Sequence, residues 1–370
     1  MTTGRAPKRS SFGTIRKLPS GRYQARYTVP GTDKLINAPM TYTTKGDADA
    51  WLRAERSARE RGTWRPAESS TQTLRDYAER WLAERKLKPS TRKHYRVVLD
   101  KFILDQIGDR QLAKIDRITV RSWHADLGRV TGPVYKAHAY RLLSTIMQSA
   151  VDDELITTSP CTLRNAGAPK PDHEPEPATL DELATIVDNM PERYRLLVHL
   201  AAWCALRYGE LAELRRKDVN LTAGVIRVRR GVTWVDGEAI VGPPKSKAGI
   251  RDVAIPPHVI PLIKDHQRKH PGLDEALLFP APRGAHMTHQ RFYVWWRPAR
   301  EAAGRPDLRV HDLRHTGATY AAQNGATLAE LMHRLGHSTP QTAMRYQHAV
   351  AQREKALAAK LSEMATGATS

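Results

Sequence analysis

Polar and apolar positions change rhythm several times along this chain, and each change marks an element. Over Arg22-Tyr-Gln-Ala-Arg-Tyr-Thr-Val29, apolar Tyr23, Ala25, Tyr27 and Val29 alternate with Arg22, Gln24 and Arg26. A period of two means a half-buried strand, here with a basic outer face. Pro30-Gly31-Thr32-Asp33 supplies a turn and a second extended stretch runs to about Thr43. From Gly46 the pattern turns helical, with Ala50, Leu52 and Ala54 set among charges as far as Arg61. After a polar joint at 68–72, every signal over 73–160 is helical: Leu74, Tyr77, Trp81 and Leu82, then Tyr95, Val98, Leu99 and Phe102, then 120–127 and 135–154. Residues 168–177 hold four prolines in ten positions, a stiff extended linker. Thr179-Leu-Asp-Glu182 then opens a helix with capping-box spacing.

Beyond the linker come two helices, the second strongly apolar over 196–206. Strands follow at Val225-Ile-Arg-Val228, around 232–234 and at Asp252-Val-Ala-Ile255, and helices return near 258–270, 288–303, 311–323, 327–335 and 340–360. The fold class is therefore mainly α and multidomain (α+β). A small N-terminal β-sheet plus helix spans 1–65, a helical bundle 72–165, the proline-rich linker 166–178, and a mixed α/β domain 179–370.

Charge changes this picture from a scaffold to a binder. The 370 residues carry 59 Lys+Arg against 39 Asp+Glu, a net charge of +20. Residues 1–65 alone hold 14 against 5, or +9. Such an excess points to a polyanionic partner, while 40% hydrophobic residues argue for real cores. Two distant cysteines, Cys161 and Cys204, suit a reducing compartment better than a disulfide. No apolar run approaches the ~20 residues of a membrane span, so a cytoplasmic protein is expected.

Candidate chemistry gathers in the last fifth of the sequence, apart from one upstream arginine in Ala205-Leu-Arg207-Tyr-Gly-Glu210-Leu. His311-Asp-Leu-Arg314-His-Thr puts an imidazole and a guanidinium three residues apart on one helical face. Leu335-Gly336-His337 ends a helix and leaves a histidine just past the stop; Tyr346 follows two turns into the next helix. Guanidinium forks match phosphate oxygens in pairs, and a phenol can attack phosphorus if its proton is taken. Glu210 can hold Arg207 in place.

In this order, Arg207, His311-x-x-Arg314, Leu-Gly-His337 and Tyr346 resemble the tyrosine recombinase (phage integrase) family. The layout of arm-binding (1–65), core-binding (72–165) and catalytic (179–370) domains is similar to that of lambda-type integrases. An Arg- and Ala-rich composition fits an actinobacterial phage or mobile element. The resemblance implies a lysine on a β-hairpin, and Lys245 in Gly242-Pro-Pro-Lys-Ser-Lys takes the matching place, with Lys247 as fallback. It implies that Tyr346 attacks to form a 3′-phosphotyrosine and that Arg207 and Arg314 clamp the phosphate. His337 would donate to the phosphate, His311 would take the tyrosine proton, and Lys245 would protonate the 5′ oxygen, with no metal or cofactor. A tetramer on double-stranded DNA, a host DNA-bending factor and an excision directionality factor are the partners implied. Ala205, where the family commonly has glycine, and Gly317, where it often has an aromatic, read as packing positions.

Other readings fit less well. The pairs His311/His315 and His333/His337 have zinc spacing, but no glutamate follows either first histidine. A type IB topoisomerase has no need of a separate basic N-terminal domain, and a catalytically silent regulator has no need of all six residues. The Ala- and Leu-rich tail after Tyr346 is expected to pack on a neighbouring protomer.

Overall fold

In the computed structural model, residues 12–28, 35–38, 40–61, 71–168 and 176–347 are described, together with 358, 361 and 362. The turn expected at 30–33, most of the proline-rich stretch and nearly all of the tail lie outside these residues. Two compact units divide between Pro171 and Asp172.

In the first unit, β1 (Thr14–Lys17), β2 (Tyr23–Thr28) and β3 (Leu35–Asn37) form an antiparallel sheet in that order. Alternation in β2 works as the pattern predicts: Ala25 and Tyr27 are buried, packed with Ile36, Ala48 and Leu52. The last two come from α1 (Lys45–Glu60), whose start is capped by the Thr44 hydroxyl accepting from the Asp47 amide at 3.1 Å. On the other face, side chains are tied across strands, Arg16 to Gln24 at 2.9 Å and Arg26 to Thr14 at 3.1 Å. Strand β1 has no readable alternation, since only Ile15 of its four residues is even half-buried.

The remainder of this unit is helical: α2 (Leu74–Glu84), α3 (Pro89–Val98), a π-helical turn at Leu99–Leu104, α4 (Asp105–Ile107), α5 (Arg117–Val130) and α6 (Pro133–Asp152). Tyr77, Trp81, Leu99, Trp123, Leu127 and Leu143 are core here. Trp81 and Trp123 satisfy their indole N–H groups on the Ser149 hydroxyl and the Phe102 carbonyl, as buried tryptophans must.

The second unit opens with α7 (Leu180–Asn189), capped by the expected box of Thr179 and Glu182, and α8 (Glu192–Trp203). The apolar run does not carry the helix to Arg207. Ala205 sits at φ 53°, a left-handed conformation that ends the helix, and Arg207 instead precedes the short α9 (Tyr208–Ala212). Ala205 is a packing position, as expected, being fully buried, and its backbone also takes a conformation that only glycine enters freely. Strands β4 (Val219–Asn220), β5 (Val225–Val228) and β8 (Arg251–Ala254) form one antiparallel sheet. β6 (Gly231–Val235) and β7 (Glu238–Gly242) form a separate hairpin closed by Asp236-Gly237, both at positive φ, the turn that matches strand twist.

Then come α10 (Ile260–Lys269), α11 (His289–Ala302), α12 (Val310–Gln323), α13 (Leu328–Leu335) and α14 (Pro340–Gln347). α12 lies hard against α8: a Cβ built on Gly317 would come 1.9 Å from the Ala202 carbonyl oxygen. Glycine at 317 is what lets the two backbones touch, and an aromatic would not fit this spacing. Cys161 and Cys204 are both free thiols. Among the described residues no helix is long and apolar enough to cross a membrane.

Candidate active site

The site is organised by the way α13 ends. Its sequence stops at Gly336, at φ 60°, and the amides of Gly336 and His337 turn back onto the carbonyls of His333 (3.1 Å) and Met332 (3.0 Å). This is a Schellman stop, which still leaves the last carbonyls without an intrahelical partner. Three guanidiniums take them. Arg251 donates to the Arg334 carbonyl at 2.8 Å, Arg314 to that of Leu335, and Arg207 to that of Gly336 at 3.3 Å. Each cation also faces the negative end of the helix dipole.

The same arginines are braced from behind. Arg314, 2% exposed, donates to the carbonyl of Ala205, so the break after α8 positions it. Arg334 spans to the Trp203 carbonyl. Glu210 is 7% exposed and accepts from Arg207 at 2.9 Å and from both terminal nitrogens of Arg251 at 3.0 Å. Burial works against ionisation of Glu210, but the hydrogen bonds from Arg251 and Arg207 outweigh it and hold the carboxyl below its usual range. Burial, then the like charge of Arg207, pushes Arg314 down to about 9, which leaves it cationic at neutral pH. One carboxylate among three guanidiniums gives the cluster a surplus of positive charge.

His337 stands directly after the stop, its Nε2 3.4 Å from Arg314. Its Nδ1 is buried without a hydrogen-bond partner. Loss of water, then Arg314 and Arg207, lower its pKa to about 4, so the ring is neutral at pH 7. Tyr346, on α14, is 5% exposed among Ala205, Ala318, Leu331, Leu335 and Ala343. Burial raises the pKa of its phenol, while Arg345, Arg314 and Arg207 pull the other way.

The structure thus brings together Arg207, Glu210, Arg314, His337 and Tyr346. His311 reaches the group by its ring, edge-on to His315 with centroids 5.0 Å apart, but the imidazole on the Tyr346 hydroxyl is that of His315, Nδ1 to oxygen 2.5 Å. Lys245 is exposed in the loop after β7, as is Lys247 at the start of the following 3-10 turn. The end of that turn is anchored at the site, since Arg251 donates to the Gly249 carbonyl at 3.1 Å.

Sequence reasoning missed two participants. Arg251 was visible as the arginine opening a strand six residues after Lys245, and His315 as the second imidazole of an i, i+4 pair, but neither spacing reveals a partner so far along the chain. Among the described residues, no three His, Cys, Asp or Glu side chains gather as a metal site.

Similarity to known proteins extends over nearly the whole chain. The profile of the Phage integrase family matches residues 176–353. Those of the phage integrase N-terminal domain and N-terminal SAM-like domain match 11–61 and 73–128. The phiRv2 prophage integrase of Mycobacterium tuberculosis is 48% identical over 99% of both chains. The integrase of Mycobacterium phage D29 is 37% identical over 97% of this chain and 99% of its own. In fold, the chain is similar to lambda integrase in a tetramer bound to a Holliday junction, with a TM-score of 0.58 and 19% identity over 92% of this chain and 96% of that one. With two full-length integrase relatives above 30% identity and integrase profiles over all three regions, this chain belongs to the phage integrase family of tyrosine recombinases and is a site-specific integrase.

Proposed function

We propose that Tyr346 is the nucleophile of strand cleavage, attacking the scissile phosphate to form a 3′-phosphotyrosine and release a 5′-hydroxyl. The observation that carries this reading is the convergence of one phenol, two imidazoles and the guanidiniums of Arg207 and Arg314 at the ends of α8 and α13. Each guanidinium has five N–H groups in a planar fork. Those not engaged by carbonyls or Glu210 can clamp the non-bridging oxygens and neutralise the pentacoordinate phosphorane, a preorganised electrostatic contribution. His337 adds a donor to the same oxygens. Lys245 is the general acid for the departing 5′ oxygen, delivered as its loop moves toward bound DNA. The covalent link conserves the phosphodiester, so a 5′-hydroxyl from a partner strand reverses the step without ATP or metal.

The three regions divide the work in this proposal. The N-terminal sheet with its helix (1–65) binds arm sites and the helical bundle (72–165) binds core sites on double-stranded DNA. The unit after the linker (166–178), residues 179–370, carries out catalysis. Strand exchange takes place in the cytoplasm within a tetramer, as lambda integrase assembles on a Holliday junction. A host DNA-bending factor and an excision directionality factor set its direction. With a net charge of +20, DNA binding should weaken steeply with salt.

The test is a nicked duplex that traps the covalent adduct, run with EDTA. Wild type should give a protease-sensitive adduct on a denaturing gel, and Tyr346→Phe none while still binding DNA. An adduct from Tyr346→Phe would move the nucleophile elsewhere.

A further inference from the structure

We propose that His315, not His311, is the general base that takes the proton of Tyr346; this rests on the cleavage reading above. His315 Nδ1 lies 2.5 Å from the Tyr346 hydroxyl, within the contact distance that proton transfer demands of a base. The two rings are tilted at 38° with centroids 5.7 Å apart, so the contact is made through the ring edge. His311, one turn earlier on α12, is more open to solvent and meets the edge of His315.

Protonation states allow this transfer. Burial, then His311, lowers the His315 pKa to about 4, so the imidazole is neutral at pH 7. The phenol, raised by burial, keeps its proton. Tyr346 therefore donates and His315 accepts, which requires the resting proton of His315 on Nε2. Of the charged and titratable groups acting on His315, Asp312 favours its protonated form, whereas His311, Arg314 and Arg345 oppose it. An arriving phosphate adds negative charge beside these cations, which raises the proton affinity of the imidazole as attack proceeds.

The step balances. As the Tyr346 oxygen bonds to phosphorus, its proton passes to His315 Nδ1, giving an imidazolium. The bond from phosphorus to the 5′ oxygen breaks, and that oxygen takes a proton from Lys245. Reversal returns the proton from His315 to the leaving phenol.

The experiment measures single-turnover adduct formation by the full-length chain. Its probe is a nicked duplex recovered by covalent capture on wild type from a random-sequence pool. If wild type captures nothing, the cleavage reading itself fails. Given capture, His315→Ala and His315→Gln should each slow adduct formation by about 10²-fold, the usual contribution of a general base, with DNA affinity unchanged. A fluorinated, more acidic tyrosine at position 346 should restore most of that rate, because it needs less help losing its proton. The same tyrosine should do little for His311→Ala. A structural role for His315 would not respond to nucleophile acidity. The proposal is overturned if the His315 variants react within threefold of wild type, if the acidic tyrosine rescues His311→Ala instead, or if losing His315 speeds the reaction. That last result would make the hydrogen bond a resting latch.

Discussion

Replacing Arg251 by methionine tests whether the arginine cluster is held together by one buried ion pair. Arg251 is 4% exposed; it makes two 3.0 Å bonds to Glu210 and two more to the carbonyls of Arg334 and Gly249. Methionine keeps an apolar stem but removes all four, leaving the buried Glu210 carboxylate with Arg207 alone. Breaking a buried pair on one side costs about 3–5 kcal/mol, because the remaining charge is uncompensated. At roughly 2–4 °C per kcal/mol for a unit of this size, the transition of the second unit should fall by about 10 °C in calorimetry of the full-length protein. Adding Glu210→Gln to Arg251→Met should then recover a large part of the loss, since the orphaned charge is gone. A drop below about 1 kcal/mol for the single variant, or strict additivity in the double variant, would refute the reasoning. Either result would mean that Glu210 is adequately solvated, or held by Arg207 alone.

Gly317→Ala places a methyl 1.9 Å from a backbone oxygen of α8, so the helices must separate. A loss of about 1–3 kcal/mol is expected, together with slower adduct formation, because the same separation displaces Arg314; denaturation and cleavage assays on one preparation would show both, and unchanged stability would contradict the close packing. Stability should also fall with acidification. His315 and His337 have folded pKa values of about 4 against an ordinary 6.5. The unfolded chain therefore binds more protons in that window, and stability present above pH 6.5 is lost as pH drops toward 4, by at most about 3 kcal/mol for each imidazole. Denaturation midpoints between pH 7 and 5 should show the decline, and a His315→Gln, His337→Gln double variant should show less of it. An equal slope in that variant would assign the effect to other groups.

Much of the fold was readable because it depends on local periodicity. The alternation of Tyr23, Ala25 and Tyr27 and the capping box at Thr179 and Glu182 appear in the structure where the residues put them. Elements without a periodic face escaped: β1 has one half-buried side chain, and the π-helical turn at Leu99–Leu104 interrupts a run that reads as ordinary helix. The Asp236-Gly237 turn, a dipeptide that favours hairpins, was not read, and only the strand around 232–234 was. At the site, Arg207, Glu210, Arg314, His337 and Tyr346 were named from the sequence and lie together, but Arg251, His315 and the partners each side chain takes were not legible. Whether His311 or His315 meets Tyr346 depends on how α14 lies along α12, and the backbone of Ala205 shows its left-handed turn only in three dimensions.

The arginine-capped end of α13 has a consequence for substitution. Each guanidinium there faces two ways: beside its carbonyl at the helix end, Arg251 and Arg207 hold Glu210, and Arg314 holds the Ala205 carbonyl. A lysine would keep the charge but concentrates it on a single nitrogen, at the end of a flexible stem. It would have to abandon either the helix end or its second partner. These three positions thus require a planar, forked cation for architecture alone, and a charge-preserving exchange there would loosen the scaffold around the end of α13.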